Sequence, residues 1–269
     1  MKIWFITGTS RGFGYEWAKA ALARGDKVAA TARNIKSLKE LTDEYGENIL
    51  PITLDVTDRD ADFAAVKRGH EHFGQLDVVI NNAGYGLFGA IEEVSEAQAR
   101  AQMETNFFGA LWVTQAALPY LREQKSGHIL QVSSIGGIAA FYGLGLYHAS
   151  KWALEALSDS LSQEVSQFGI KVTLIEPSGF STDWAGTSAV RAKENPIYNN
   201  LRGNRPAARA KRGDPKASSA AILKVVDAAN PPLRLLLGNF ASDYVKELYP
   251  QRLKTWAEWE NIARAADGH

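Results

Sequence analysis

Tyr147 stands thirteen residues after Ser134, and Lys151 follows four residues later. A spacing of four on a helix puts two side chains on one face. A lysine ammonium beside a phenol favours the phenolate. The pattern therefore makes an acid–base pair near neutral pH out of two ordinary residues. A surface Tyr and Lys at the start of an amphipathic helix carry the same spacing, so the elements around them have to decide.

Those elements alternate. Short apolar runs that read as buried strands are expected at 2–7, 27–32, 49–54, 76–80, 127–133, 170–176 and 233–237. Helices are expected at 15–24, 35–45, 59–73, 105–121, 147–168, 215–229 and 243–266. Ser95 can cap a further helical stretch that opens with Glu96. This order predicts an α/β fold: a Rossmann-type, doubly wound parallel sheet of seven strands with helices on both faces. Right-handed crossovers would then bring the strand C-termini to one edge, where ligands bind. Gly8, Ala32, Asp55, Asn81, Ser134 and Pro177 all fall at that edge.

The first strand runs into Gly8-Thr-Ser-Arg-Gly12-Phe-Gly14. Strand, glycine-rich turn and helix let backbone N–H groups approach a pyrophosphate. The spacing is Gly-x-x-x-Gly-x-Gly rather than the Gly-x-Gly-x-x-Gly of the usual dinucleotide fingerprint. A tight strand–helix connection with no ligand is the alternative.

The composition excludes several classes. The 269 residues carry 30 basic and 30 acidic side chains, so nothing points to a nucleic-acid partner, and the one short basic run is at 205–212. There is no cysteine, which removes disulfides, thiolate catalysis and Cys-type zinc sites. The five histidines show no metal spacing, and no metal is expected. No stretch approaches transmembrane length, and a cytoplasmic protein is expected. The segment 182–215 has little regular pattern, as a lid or binding loop does. His148 is expected to be structural or at the rim of the cleft.

Taken together, these residues resemble the short-chain dehydrogenase/reductase family. The match is Thr7-Gly8-x-x-x-Gly12-x-Gly14, then Asn81-Asn82-Ala83-Gly84, Asn106, Ser134, Tyr147-x-x-x-Lys151, and Pro177 through Thr182. It covers residues 2 to about 182. The tail, with Pro231-Pro-Leu-Arg-Leu-Leu-Leu-Gly238 and a helical end, looks like the 17β-hydroxysteroid-dehydrogenase-like branch. The resemblance implies one domain over 1–269. Its core for cofactor and catalysis would be 1–180, its substrate loop and helix 181–232, and its last strand and helices 233–269.

The resemblance also implies hydride transfer between a nicotinamide and a carbonyl or carbinol carbon. Tyr147 would donate the proton in reduction and accept it in oxidation. Its pKa, near 10 when free, would have to fall by about 3 pH units, or about 4 kcal/mol. One ammonium at about 4 Å provides roughly that at an effective dielectric of 20. Lys151, helped by the positive charge of the oxidised nicotinamide, would supply it and also hold the ribose hydroxyls. Ser134 would steady the substrate oxygen, and Asn106 would hold a water relaying protons to Lys151. The cofactor would lie against Gly8, Ser10, Arg11, Gly12, Phe13 and Gly14 of the turn. Further along it would meet Arg33, then Asp55 and Val56 at the adenine, and Asn82, Ala83 and Gly84 at the ribose. Pro177, Gly179, Phe180 and Thr182 would hold the carboxamide end. Pro177-Ser178 replaces the family's usual Pro-Gly, which leaves Thr182 in register.

An acid at the end of the second strand would mark NAD selectivity. Ala32 and Arg33 stand there instead, and Arg11 is expected in the same neighbourhood. Two guanidiniums and no carboxylate suit a 2′-phosphate, so NADP(H) is expected over NAD(H). Phe141, Tyr142 and Trp184, with Tyr85, Leu87, Phe88, Ile135, Leu144 and Tyr198, make an apolar, aromatic set of candidate lining residues. They favour a neutral hydrophobic ketone, aldehyde or alcohol. A homo-oligomer is expected, paired through the helices of Asn106 and Tyr147. The competing reading is a catalytically idle NADP-binding sensor on the same fold. A sugar-nucleotide epimerase or dehydratase is disfavoured by the glycine spacing.

Overall fold

The structure is a computed structural model, and it describes residues 1–203 and 212–268. The basic run at 205–212 therefore lies, but for Arg212, outside the described residues.

Seven parallel strands form the sheet: β1 (Ile3–Ile6), β2 (Lys27–Ala32), β3 (Ile49–Thr53), β4 (Val78–Asn81), β5 (Gly127–Val132), β6 (Ile170–Pro177) and β7 (Arg234–Leu237). Their spatial order is β3-β2-β1-β4-β5-β6-β7. The helices are α1 (Gly12–Ala23), α2 (Lys39–Tyr45), α3 (Arg59–Phe73), α4 (Glu96–Met103), α5 (Gly109–Gln124), α6 (Gly145–Val165), α7 (Asn199–Gly203), α8 (Pro215–Asp227), α9 (Asn239–Glu258) and α10 (Glu260–Ala265). The expected fold is the one observed. Among the described residues no helix is long and apolar enough to cross a membrane.

Parallel strands are covered on both faces, and β1 shows why it reads as a continuous apolar run. Trp4 and Ile6 pack into one layer with α1 and α8. Ile3 and Phe5 pack into the other with α3, α5 and α6. All four side chains are buried, and each contributes about 1.5–3 kcal/mol. Two buried indoles are satisfied on the way: Trp4 Nε1 donates to Asp26 (2.9 Å) and Trp17 Nε1 to Ser218 (2.8 Å), the second tying α1 to α8.

The chain reverses direction across the sheet between β1 and β4, opening a crevice over their C-terminal ends. Three departures from the sequence reading bear on that crevice. The helix expected from residue 105 is part of a longer one, α4 running into α5 through a π turn at Glu104–Phe108. The second helix begins later than expected, because Ile35–Leu38 is a 3-10 turn capped by Asn34. The segment 182–215 is partly regular: Val190–Arg191 pairs in parallel with Leu87–Phe88, strapping it across the mouth of the crevice.

Candidate active site

The glycine turn is locked from β4. Asn82 Nδ2 donates to the carbonyls of Thr7 (2.9 Å) and Gly8 (3.0 Å). The Thr7 hydroxyl accepts the backbone N–H groups of Asn82 (2.9 Å) and Ala83 (3.0 Å). A Cβ on Gly14 would lie 2.5 Å from the Gly8 carbonyl oxygen and 2.5 Å from Asn82 Nδ2, so no side chain fits. Gly12, at φ +60°, starts α1 in a conformation that favours glycine. No side chain caps α1, and no acid sits in its first turn. Its N-terminal N–H groups therefore face the crevice without a partner of their own, which is the chemistry a pyrophosphate needs. Thr182 lies across the turn, 3.6 Å from the Cβ position of Gly12. The residues present fit a dinucleotide.

The other cofactor candidates fall around this cradle. Val56 is buried beneath the start of α5, and exposed Asp55 closes a turn with Thr57. Pro177 ends β6, and Gly179 accepts a hydrogen bond from Gly213 (2.9 Å). Phe13 and Phe180 turn their rings into the protein, 5.0 Å apart, with Trp17 stacked behind, leaving their backbones at the site. Ser10 and Arg33 stand exposed. Arg11 departs from expectation. Its guanidinium donates to Asp183 (3.1 Å) and Thr187 (3.2 Å) on the strapped segment rather than standing as a second free cation with Arg33. The reason is a carboxylate within reach of an extended residue. Both partners are about half exposed, so the pair is worth at most about 1 kcal/mol.

The acid–base group lies across the crevice at the start of α6. Tyr147, Lys151 and Asn106 are buried, and Ser134 is half-buried just past β5. Ser134 Oγ accepts the Gly136 N–H (3.0 Å), lies within hydrogen-bond range of the Pro177 carbonyl (3.5 Å), and is the hydroxyl that favours ionisation of the Tyr147 phenol. Lys151 Nζ donates to the Val132 carbonyl (2.7 Å) and sits 6.0 Å from the centre of the Tyr147 ring. Asn106 lies within the π turn, a feature frequent at functional sites. Its amide is fully engaged: Oδ1 accepts Tyr85 N–H (3.1 Å), and Nδ2 donates to the Tyr85 carbonyl (3.0 Å) and to Ser150 Oγ (3.1 Å). Gly84 is where these groups meet. A Cβ there would lie 3.1 Å from Asn106 Oδ1 and 3.6 Å from Lys151 Nζ.

The electrostatics correct one expectation. Burial pushes the Tyr147 phenol up to about 12, the Ser134 hydrogen bond pulling only partly the other way. Burial likewise pushes the Lys151 ammonium down to about 8, opposed by Glu155. Lys151 alone does not bring the phenol near 7: its ammonium is directed at a backbone carbonyl, and desolvation of the phenol dominates.

Trp184 stands over the phenol, its ring 4.9 Å from that of Tyr147 and 5.2 Å from that of Phe88. Phe141 packs on His148 and Tyr244. Phe141 and Tyr142 line an apolar cavity of about 630 Å³ beside α6, with Ile91, His148, Tyr198 and Leu201. His148 is buried, held down to about 4 by desolvation, and its Nδ1 accepts the Phe141 N–H (3.3 Å). Leu87 and Ile135 are buried in the protein, Leu144 precedes α6, and Tyr85 is held by Asn106. Ser150 was missed in the sequence, and Thr7 was read only as part of the family match, without a role. Their hydroxyls act through backbone and amide partners, and the residue types alone carry no signal of that. Among the described residues no group of His, Cys, Asp or Glu is arranged to hold a metal.

Comparison with known proteins agrees with this geometry. The chain is 44% identical over 271 residues to oxidoreductase BOA17 of Botryotinia fuckeliana, covering 98% of this chain and 99% of that one. It is 35% identical over 243 residues to a 3-ketodihydrosphingosine reductase of Bacteroides thetaiotaomicron, covering 88% of each. A short-chain dehydrogenase from Streptomyces avermitilis superposes with a TM-score of 0.93 at 38% identity, covering 99% of this chain and 100% of that one. The family model described as short chain dehydrogenase matches residues 2–193, and the chain belongs to that family.

Proposed function

We propose that this short chain dehydrogenase is an NADP(H)-dependent oxidoreductase that interconverts a hydrophobic ketone or aldehyde and its alcohol. The observation that carries the reading is the buried Tyr147 phenol, with the Ser134 hydroxyl and the Lys151 ammonium beside it, at the edge of a dinucleotide cradle.

When bound, the nicotinamide supplies or accepts the hydride. The chain's own residues manage the proton and the oxygen. Tyr147 keeps its proton at neutral pH and is placed to give it to a carbonyl oxygen as that oxygen gains charge. Ser134 Oγ is the hydroxyl beside that phenol and would steady the same oxygen. Lys151 holds positive charge behind the phenol and limits the cost of its ionisation. Asn106 positions Tyr85 and Ser150 around Lys151. Trp184 covers the phenol and keeps water from it.

Selectivity for the 2′-phosphate is argued from the end of β2, where Ala32 replaces an acid and Arg33 presents a guanidinium. The apolar cavity beside Phe141 and Tyr142 supports a hydrophobic substrate, and the reductase relative named for 3-ketodihydrosphingosine is compatible with one. The 17β-hydroxysteroid-dehydrogenase-like branch stays with this reading, on the form of the tail after β7. NADPH oxidation across steroid, retinoid, aryl and long-chain carbonyls tests it. Turnover of at least one is expected, and none across the panel would defeat it.

A further inference from the structure

Behind the Ser134–Tyr147–Lys151 group lies a second set of ionisable residues that the reaction above does not use. Glu155 is on α6, one turn beyond Lys151, and Glu176 is the penultimate residue of β6. Their side chains are 6% and 1% exposed. Arg234 on β7 is the cation between them. Its Nε lies 3.1 Å from Glu155 Oε2 and 3.6 Å from Glu176 Oε1, and its Nη2 lies 2.9 Å from Asp159 on the half-exposed flank of α6.

One guanidinium faces three carboxyl groups, two of them buried. Two ionised carboxylates there would leave a net buried negative charge, which is costly without compensation. They would also leave Glu155 Oε1 and Glu176 Oε1 without hydrogen-bond partners. A proton held between the two carboxyl groups removes the excess charge and provides the missing hydrogen bond. Burial and the neighbouring Glu155 push Glu176 well above the usual carboxylate range, so one proton stays on the pair at neutral pH. Burial also pushes Glu155 above the usual carboxylate range, the nearby Ser133 hydroxyl and Arg234 pulling partly the other way. Ser133 Oγ and Glu155 Oε1 meet at Gly137, 2.5 and 3.0 Å from its Cβ position, close though not in a well-formed hydrogen bond.

The pair touches the catalytic strand end from three sides. Val132, whose carbonyl receives Lys151 Nζ, precedes Ser133, and Ser134 follows it. Pro177, whose carbonyl lies near Ser134 Oγ, follows Glu176. The charged groups facing the pair are Lys151 and Asp159 from α6 and Arg234 from β7.

We propose that Glu155 is a positioning residue for this reaction: with Glu176 it holds one proton as a buried carboxyl pair, and its remaining charge keeps the Lys151 ammonium charged from one helical turn away. This rests on the reading that Lys151 supports the Tyr147 phenol.

The test is a pH titration of Lys151 by NMR in protein carrying ¹³C-labelled lysine, assigned with Lys151→Arg, for wild type, Glu155→Gln and Glu176→Gln. Glu155→Gln is expected to lower the Lys151 midpoint by about one to two pH units, as loss of one charge across a helical turn at an effective dielectric of 20 requires. The alkaline limb of kcat/KM for carbonyl reduction should move down with it. Glu176→Gln, which keeps a neutral donor beside Glu155, should leave the midpoint in place. Infrared spectra at pH 7 should show a protonated carboxyl band in wild type that Glu176→Gln loses. An unmoved midpoint in Glu155→Gln, or protonated-carboxyl bands in wild type that Glu176→Gln leaves unchanged, overturns the proposal. Should Glu155→Gln not fold, the infrared comparison of wild type with Glu176→Gln still decides whether the pair exists. Neither spectroscopic measurement needs turnover, so they separate failure of this inference from failure of the assigned reaction.

Discussion

The indole of Trp184 lies 4.9 Å from the phenol ring of Tyr147, tilted by 60°. It is held there from both sides. Gly86 leaves it room, a Cβ on that glycine falling 2.7 Å from the ring, and the Arg11–Asp183 pair anchors the residue before it. Trp184 is therefore the ceiling of the reaction site. Trp184→Ala should raise the ratio of kcat/KM for a bulky aryl ketone over a small aliphatic one by about tenfold or more. Steady-state kinetics on the two substrates measures this. An unchanged ratio would remove Trp184 from the site.

On the proposed reading, the 2′-phosphate is read by one exposed guanidinium, that of Arg33, because Arg11 is already paired with Asp183. A charge-assisted hydrogen bond is worth about 1.5–3 kcal/mol. Arg33→Ala should accordingly lower kcat/KM for NADPH by about 10- to 150-fold while that for NADH changes little. Equal losses with both cofactors would show that Arg33 does not read the 2′-phosphate.

The two directions of the reaction should differ in pH dependence. Tyr147 lies at about 12 and holds its proton through neutral pH, so carbonyl reduction is not limited there by the phenol. Lys151 lies at about 8, so its charge, and reduction with it, should fall as pH rises through that value. Alcohol oxidation needs the phenolate and should gain with pH where reduction is still flat. Initial rates in both directions from pH 6 to pH 10 decide this, and parallel profiles would contradict it.

Asp62 makes a separate prediction about stability. It is buried in α3, both its oxygens lack partners, and desolvation, with Asp58 and Asp55, pushes it up to about 8. The folded state thus binds a proton that the unfolded chain releases near 4. Its contribution to stability is complete below that lower value and is lost as pH rises towards 8. Denaturant unfolding of wild type should show that loss between pH 4 and pH 8, and Asp62→Asn should flatten it. A variant with the same pH slope as wild type would mean that Asp62 is ionised in the fold.

The sheet was legible because buried parallel strands leave uninterrupted apolar runs, as Ile3–Ile6 does, and because each ends in a residue type suited to a crevice. Helix ends were legible where chemistry marks them, as at Ser95, whose side chain caps α4. The π turn at Asn106 was not, since no residue type signals one extra residue in a helical turn. The strap between Leu87–Phe88 and Val190–Arg191 was hidden for a related reason: two residues are too few to show alternation. Spacing alone was enough to expect Ser134, Tyr147 and Lys151 together, as the fold brings them. Their electrostatics could not be read that way, because the pKa of Tyr147 depends on how completely water is removed, and pairwise spacing says nothing of burial. Arg11 was misplaced because a turn residue can point either way, and only the fold brought Asp183 within reach.

The central claim is that Tyr147 exchanges the proton with the substrate oxygen. Its most direct test is NADPH consumption with a hydrophobic carbonyl substrate by wild type and Tyr147→Phe, with NADPH affinity measured alongside. The account predicts that the variant binds NADPH as wild type does and loses about 10²- to 10⁴-fold in kcat. Turnover by Tyr147→Phe at the wild-type rate would contradict it.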